Sequence, residues 1–193
     1  MQYMKEFSSP KTTEYTDNTE NVQLEEYIAR AAAGDTEGIA ELYIHTQSSV
    51  YGFALSILKN TADAEDVMHD TYVRIFSYAG SYKPRGNPIP WILEITKNLA
   101  FMALRKKKRS QPMQDELLHN SVSNADFSEQ VTDELSVTQA MMTLGQEERQ
   151  IVTLHAVTGL KHREIAKLLD MPLATVLSKY NRSIKKMKKI LGG

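Results

Sequence analysis

The sequence predicts an all-α protein built as two small helical domains joined by a flexible acidic linker. Apolar residues recur with helical spacing from about Val22 to Lys108, and again from about Glu134 to the C-terminus, and strand-like alternation is absent. Between these blocks, residues 111–133 (QPMQDELLHNSVSNADFSEQVTD) are polar, turn-rich and without period. Charge is segregated in the same pattern. From Ser110 to Ser136 there are six acids and no Lys or Arg, and from Met171 onward there are six bases and no acid. Residues 1–20 read as a disordered polar tail, 21–109 as the first domain, 110–133 as the linker and 134–193 as the second domain. The second is short enough to be marginally stable by itself.

Composition narrows the function. The 193 residues carry a formal net charge of -1, a sum that hides the polarity just described. There is no cysteine, so no disulfide framework, thiolate nucleophile or Cys-type zinc site. The N-terminal stretch lacks an apolar signal-peptide core, and no run of about 18 apolar residues occurs. A cytoplasmic home without membrane insertion is expected. His45, His69, His119, His155 and His162 show no metal-ligand spacing. No phosphate loop, nucleophile elbow or paired-carboxylate pattern stands out, so no catalytic residue, metal or cofactor is expected and an enzyme is disfavoured.

In the first domain, NTADAEDVMHDTYVRIFSYAG opens with a cap candidate, Asn60 or Thr61, followed by acids suited to a helix N-terminus. On a helical wheel Ala64, Val67, Met68, Thr71, Ile75 and Ala79 form an inner face, while Asp66, His69, Asp70 and Val73 project outward. A loop rich in Gly and Pro then carries Tyr82, Lys83, Arg85 and Asn87. A long helix begins near Pro90, with Trp91, Ile95 and Leu99 or Leu104 as core candidates, and ends in the basic run Arg105–Arg109. An aromatic and cations in a loop beside a basic helix suit a single-stranded nucleic acid, whose bases stack while cations track its phosphates. Core packing of Trp91 and an ordinary basic helix end explain the same residues without a ligand.

The second domain ends in HREIAKLLDMPLATVLSKYNRSIKK, a helix, a tight turn at Asp170–Pro172 and a second helix. Ile165, Ala166, Leu168 and Leu169 mark the buried side of the first helix. Leu173, Val176, Tyr180, Ile184, Met187 and Leu191 mark that of the second, with Pro172 expected in its first turn. Its opposite side carries Thr175, Ser178, Lys179, Arg182, Lys186 and Lys189. This is helix-turn-helix patterning, in which the second helix enters a major groove with its first residues at base edges and later cations at phosphates. A plain helical hairpin with a solvated lysine face is the alternative.

These stretches together resemble an extracytoplasmic-function (group IV) sigma factor of the sigma-70 family. NTADAEDVMHDTYVRIF is similar to the region 2.2 helix. PWILEITKNLAFMALRKKKR is similar to regions 2.3 and 2.4 at Trp91, Ile92, Ile95, Asn98 and Arg105. GLKHREIAKLLDMPLATVLSKYNRSIKKMKKIL is similar to region 4.2 at Gly159, Glu164, Ile165, Ala166, Leu168, Pro172, Thr175, Val176, Ser178 and Arg182. The chain departs from the family pattern at Met102 (usually Asp), His69 (Gln), Ala174 (Gly), Leu177 and Lys179 (Lys and Arg), and Gly145 (Pro). These departures leave the fold reading alone and bear on which promoter sequence is read.

The resemblance implies a role for each surface. Asp66, His69, Asp70, Val73 and Phe76 would dock on the β′ clamp helices of core RNA polymerase, with the β subunit as a further contact. Tyr82, Lys83, Arg85, Asn87, Lys97, Asn98, Arg105 and Lys106 would hold the unpaired -10 strand. Ala174, Thr175, Ser178, Lys179, Arg182 and Lys186 would read the -35 duplex. Promoter DNA, duplex and single-stranded, and an anti-sigma factor are the other implied partners. A linker of about 23 residues spans at most about 75–80 Å, enough for sites two DNA turns, about 70 Å, apart. An ordinary helix-turn-helix regulator acting as a dimer on palindromic sites is the rival reading.

Overall fold

The computed structural model describes residues 13–110 and 133–191. These form α1 (Thr13–Ala32), α2 (Thr36–Leu58), α3 (Thr61–Tyr78), α4 (Ile89–Ser110), α5 (Asp133–Met142), α6 (Gln146–Ala156), α7 (His162–Leu168) and α8 (Leu173–Leu191). A 3-10 turn at Ala79–Ser81 follows α3, and the described residues contain no strand. The fold is all-α, as the periodicity predicts. Helix α1 reaches back to Thr13, into the stretch expected to be a tail. Residues 1–12, and the expected linker from 111 to 132, lie outside the described residues.

The chain clusters into two compact units, divided within α2 between Thr46 and Gln47, within α3 between Thr71 and Tyr72, and between Ile89 and Pro90. The first holds α1, the start of α2, the end of α3 and the loop that follows. Leu24, Ile28, Ala31, Leu42, Tyr72, Ile75 and Ala79 are buried in it. Gly34, at φ 87°, ends α1 in the left-handed conformation that a side chain disfavours. Asp35 then caps α2, accepting from the Glu37 amide at 2.9 Å and from Arg30 Nε at 2.7 Å. The Tyr72 hydroxyl lies 2.8 Å from Thr46 Oγ1, so this buried polar pair satisfies itself. Burial pushes the Tyr72 phenol well above its ordinary pKa.

Gly38 sets how closely α1 and α2 approach. A Cβ there would stand 2.7 Å from Arg30 Cβ and 2.9 Å from the Tyr27 carbonyl oxygen. Gly38→Ala gains helix propensity but forces backbone apart. A net destabilisation of about 1–3 kcal/mol is expected, read as a lower urea midpoint. A midpoint at or above wild type would show that α1 yields without cost.

The second unit holds the rest. Phe53, Ile92, Leu93, Ile151, Leu154, Leu160, Ile165 and Val176 are among its fully buried side chains. Each contributes about 1.5–3 kcal/mol by leaving water. Asn60 Oδ1 accepts from the Asp63 amide at 2.8 Å and caps α3. The expected inner face of α3 is buried throughout. In α4 the choice of core candidates is corrected. Ile92, Leu93, Thr96 and Ala100 are buried, whereas Trp91, Ile95, Leu99 and Leu104 are half-buried at the margins of that stripe. In α8, Val176 and Ser183 are buried but Leu191, the last residue of the helix, is exposed. Pro172 stands just before α8 rather than in its first turn, its carbonyl accepting from the Thr175 and Val176 amides at 2.9 and 3.1 Å.

Candidate nucleic-acid interface

The helix-turn-helix is built from its turn outward. Asp170 sits at φ 53° just after α7, and the Met171 amide donates back to the Ala166 carbonyl at 2.9 Å. Aspartate is one of the few non-glycine residues that tolerate this conformation. The reversal lets α7 and α8 share Ile165, Leu168 and Val176 in one core. Beneath α8 the rings of His155, His162 and Tyr180 meet, with centroids 4.4–4.9 Å apart. His155 Nδ1 lies 2.9 Å from the Leu160 carbonyl oxygen. Burial and the neighbouring His155 hold the His162 imidazole below its ordinary pKa, and its buried Nε2 has no hydrogen-bond partner. Two histidines without ligand spacing in sequence thus form one packing cluster. Among the described residues no group of three or more His, Cys, Asp or Glu could hold a metal ion.

On α8, Ala174, Ser178, Arg182 and Lys186 are exposed, while Thr175 and Lys179 are half-buried. Three of these cations are paired with two carboxylates of α6. Lys179 Nζ lies 2.7 Å from Glu147 Oε2. Lys186 Nζ donates to both oxygens of Glu148, at 2.8 and 3.1 Å, and Arg182 Nε stands 3.6 Å from Glu148 Oε1. Glu148 also accepts from the Gly145 amide at 3.2 Å, the backward half of a capping box at the start of α6. The Lys186 bond holds the Glu148 carboxyl below the usual carboxylate range, with Gly145 and Arg182 adding to it against the cost of burial. Segregated charge in the sequence pointed to a helix face whose cations are open to phosphates; the acids that pair with them lie 32 to 38 residues upstream.

In the first unit the loop after α3 is anchored by a residue that the sequence reading did not single out. Glu25 Oε1, on α1, accepts from the Tyr82 hydroxyl at 3.0 Å and from the Arg85 and Gly86 amides, both at 2.9 Å. Gly86 is at φ 81°, which presents its amide to that carboxylate. Burial pushes the Tyr82 phenol up to about 12, with Glu25 adding to the shift. Lys83 and Arg85 side chains are exposed. Asn87 Oδ1 accepts from the Ile89 amide at 3.1 Å and so caps α4.

In the second unit Asn98 and Arg105, seven residues apart, share an exposed face of α4. Lys106 is exposed too. Lys97 is turned elsewhere: its Nζ donates to Glu94 at 2.8 Å and to the Leu168 carbonyl at 2.7 Å. Lys107 pairs with Asp63 at 2.8 Å, so the basic run is partly neutralised at its middle. The outward positions of α3 are all exposed: Asp66, His69 and Asp70, with Val73 at 68% and Phe76 at 39%.

Residues 42–110 match the Sigma-70 region 2 family and residues 134–187 the Sigma-70, region 4 family, together more than half of the chain. An ECF RNA polymerase sigma factor SigK of Mycobacterium sp. (strain KMS) is 26% identical over 175 residues, 88% of this chain and 91% of its own. SigK of Mycobacterium tuberculosis (strain ATCC 25618 / H37Rv) is 24% identical over 87% of this chain and 93% of its own. Among solved structures, RpoE of Bartonella quintana, in complex with the anti-sigma factor NepR, superposes with TM-score 0.61 at 18% identity, covering 79% of this chain and 96% of that one. CnrH, in complex with the cytosolic domain of CnrY, gives 0.60 at 18% identity, covering 88% and 97%. The sequence of helices, the capped turn before α8 and the matched regions agree, and the chain belongs to the sigma-70 family as a sigma factor of the extracytoplasmic-function group.

Proposed function

We propose that this alternative sigma factor directs RNA polymerase to promoters through three separate surfaces. The exposed α3 positions Asp66, His69, Asp70, Val73 and Phe76 dock on the core enzyme, with the β′ clamp helices as their seat. The loop with Tyr82, Lys83, Arg85 and Asn87, and the α4 residues Asn98, Arg105 and Lys106, hold the melted -10 strand, with Lys97 joining them once it leaves its present partners. Ala174, Thr175, Ser178, Lys179, Arg182 and Lys186 face the -35 duplex. The observation that carries this reading is the pairing of region 2 and region 4 matches in one chain, with Lys83, Arg85, Asn98 and Arg105 exposed in the first half and Ser178, Arg182 and Lys186 in the second. The chain itself performs no chemistry, which is left to the polymerase.

An anti-sigma factor belongs to the same reading, since the structural relative RpoE is a sigma factor in complex with an anti-sigma factor. No described helix is long and apolar enough to cross a membrane, and a cytoplasmic place of work follows from the polymerase partner. The division into a first domain at 21–109, a linker at 110–133 and a second domain at 134–193 is kept as the functional one, each domain taking one promoter element.

Transcription from a promoter library by core polymerase and the purified chain tests the proposal. Initiation at promoters sharing one -35 and one -10 sequence is expected. Lys179→Ala and Ser178→Ala should then shift preference within the -35 element by roughly tenfold to hundredfold, the value of a good base contact. A chain that leaves the core enzyme inactive, yet binds palindromic duplexes as a dimer, would sink the proposal in favour of an ordinary regulator.

A further inference from the structure

We infer that Glu147 and Glu148 of α6 are a built-in competitor for DNA phosphates, which keeps cations of α8 occupied until a duplex displaces it. The inference deepens the proposed role of α8 as the -35 reader and rests on it. Helix α8 contains six bases and no acid, so nothing along the helix itself balances their charge. The balance comes from α6, whose first turn presents Glu147 and Glu148 to Lys179, Arg182 and Lys186.

The two acids are held differently, and this separates their effects. The Glu147 side chain is 52% exposed and makes one ion pair, with Lys179. Such a pair is weak in water and exchanges readily. Lys179 is therefore free to leave Glu147 when a base edge or phosphate replaces it. The Glu148 side chain is only 11% exposed, is fixed by the Gly145 amide and receives both Lys186 hydrogen bonds beside Arg182. Its carboxylate occupies the place a backbone phosphate would take between two cations, so Lys186 carries only part of its charge to DNA. The consequence is reduced affinity for any duplex, with contacts at the start of α8 affected least. Discrimination between sequences gains relative to bare attraction, because the competed term is the one blind to sequence.

Counterion release measures this directly. The full-length chain is titrated with a fluorescent random-sequence duplex and with a -35 duplex over 50–200 mM KCl. Each cation newly available to phosphate steepens the slope of log affinity against log salt by about 0.9, a further loss of about 3.5-fold across that fourfold range. Glu148→Gln keeps an acceptor for the Gly145 amide and removes the charge. It is expected to tighten random-duplex binding and to steepen the slope by about one cation. Lys186→Ala should lower the slope by clearly less than 0.9 in the wild-type chain and by the full amount in Glu148→Gln. Glu147→Gln, at an exposed site, should tighten binding without a change in unfolding temperature, which covers the case in which Glu148→Gln loosens α6. Slopes unchanged in both single variants, or a Lys186→Ala effect that ignores Glu148, would overturn the competitor role. These slopes do not depend on base sequence, so absence of any -35 preference would instead count against the sigma reading.

Discussion

Asp66→Lys/Asp70→Lys is expected to abolish stoichiometric co-purification with core RNA polymerase while leaving the fold intact. Both carboxylates lie on the outer face of α3, four residues apart and exposed, so reversing them disturbs no buried contact. One turn further on, Val73 and Phe76 are exposed large hydrophobics on a helix whose opposite side is fully packed. An acidic margin beside an apolar patch is the composition of an interface with a basic partner. Placing like charges across it costs several kcal/mol, and about 3 kcal/mol lowers affinity by more than a hundredfold. Unfolding temperature and -35 duplex binding should match wild type. Undiminished binding to the core enzyme would leave the sigma function in place and move the docking face away from α3.

The fold was legible in the sequence where a helix has one strong apolar stripe. The inner face of α3 was read residue by residue, because its apolar positions fall in one narrow sector and its outer positions are charged. In α4 apolar side chains flank the stripe on both sides. Trp91, Ile95 and Leu99 competed with Ile92, Leu93 and Ala100, and only packing decides between adjacent sectors. The turn before α8 was legible from Asp170-Met171-Pro172, since few residue types accept that geometry.

The candidate site was legible as a set of helix faces and not as a set of contacts. Exposure of Ser178, Arg182, Asp66 and Asp70 follows from helical phase alone. That Lys179 and Lys186 are held by Glu147 and Glu148, 32 and 38 residues away, does not, since pairing across that separation is set by how α6 crosses α8. Lys97 shows the same limit. Phase places it beside Asn98, but its flexible stem carries the ammonium to the carbonyl end of α7. Glu25 is the plainest case: it is one of several acids on a polar helix, and only the fold brings it to the loop.

Glu25→Ala is expected to cripple promoter opening while sparing core binding and the -35 contact. The Glu25 carboxylate closes the loop from Tyr82 to Gly86 with three donors on a single oxygen, one hydroxyl and two amides. Hydrogen bonds to an ionised acceptor are worth about 1.5–3 kcal/mol each where water is excluded and less where it is not. Because Glu25 is only half-buried, a loss of about 1–3 kcal/mol in loop order is expected for the three together. If Lys83 and Arg85 must be preset to capture an unpaired strand, that loss appears as a tenfold to hundredfold fall in open complexes, read by permanganate reactivity of the -10 thymines. Glu25→Gln, which keeps an acceptor without the charge, should fall between. The pH dependence has a fixed sign. Burial raises the Glu25 pKa, but the bonds from Gly86, Tyr82 and Arg85 outweigh it and leave the carboxyl below its ordinary 4.5. The anchor is therefore complete above the unfolded value and is lost as pH falls through the lower folded one. Loop amides protected from exchange at pH 6 should lose that protection in this acidic window in the wild type, and lack it at both pH values in Glu25→Ala. Normal opening by Glu25→Ala, with its loop demonstrably unanchored, would remove the loop from the -10 contact and leave that strand to Asn98 and Arg105 of α4.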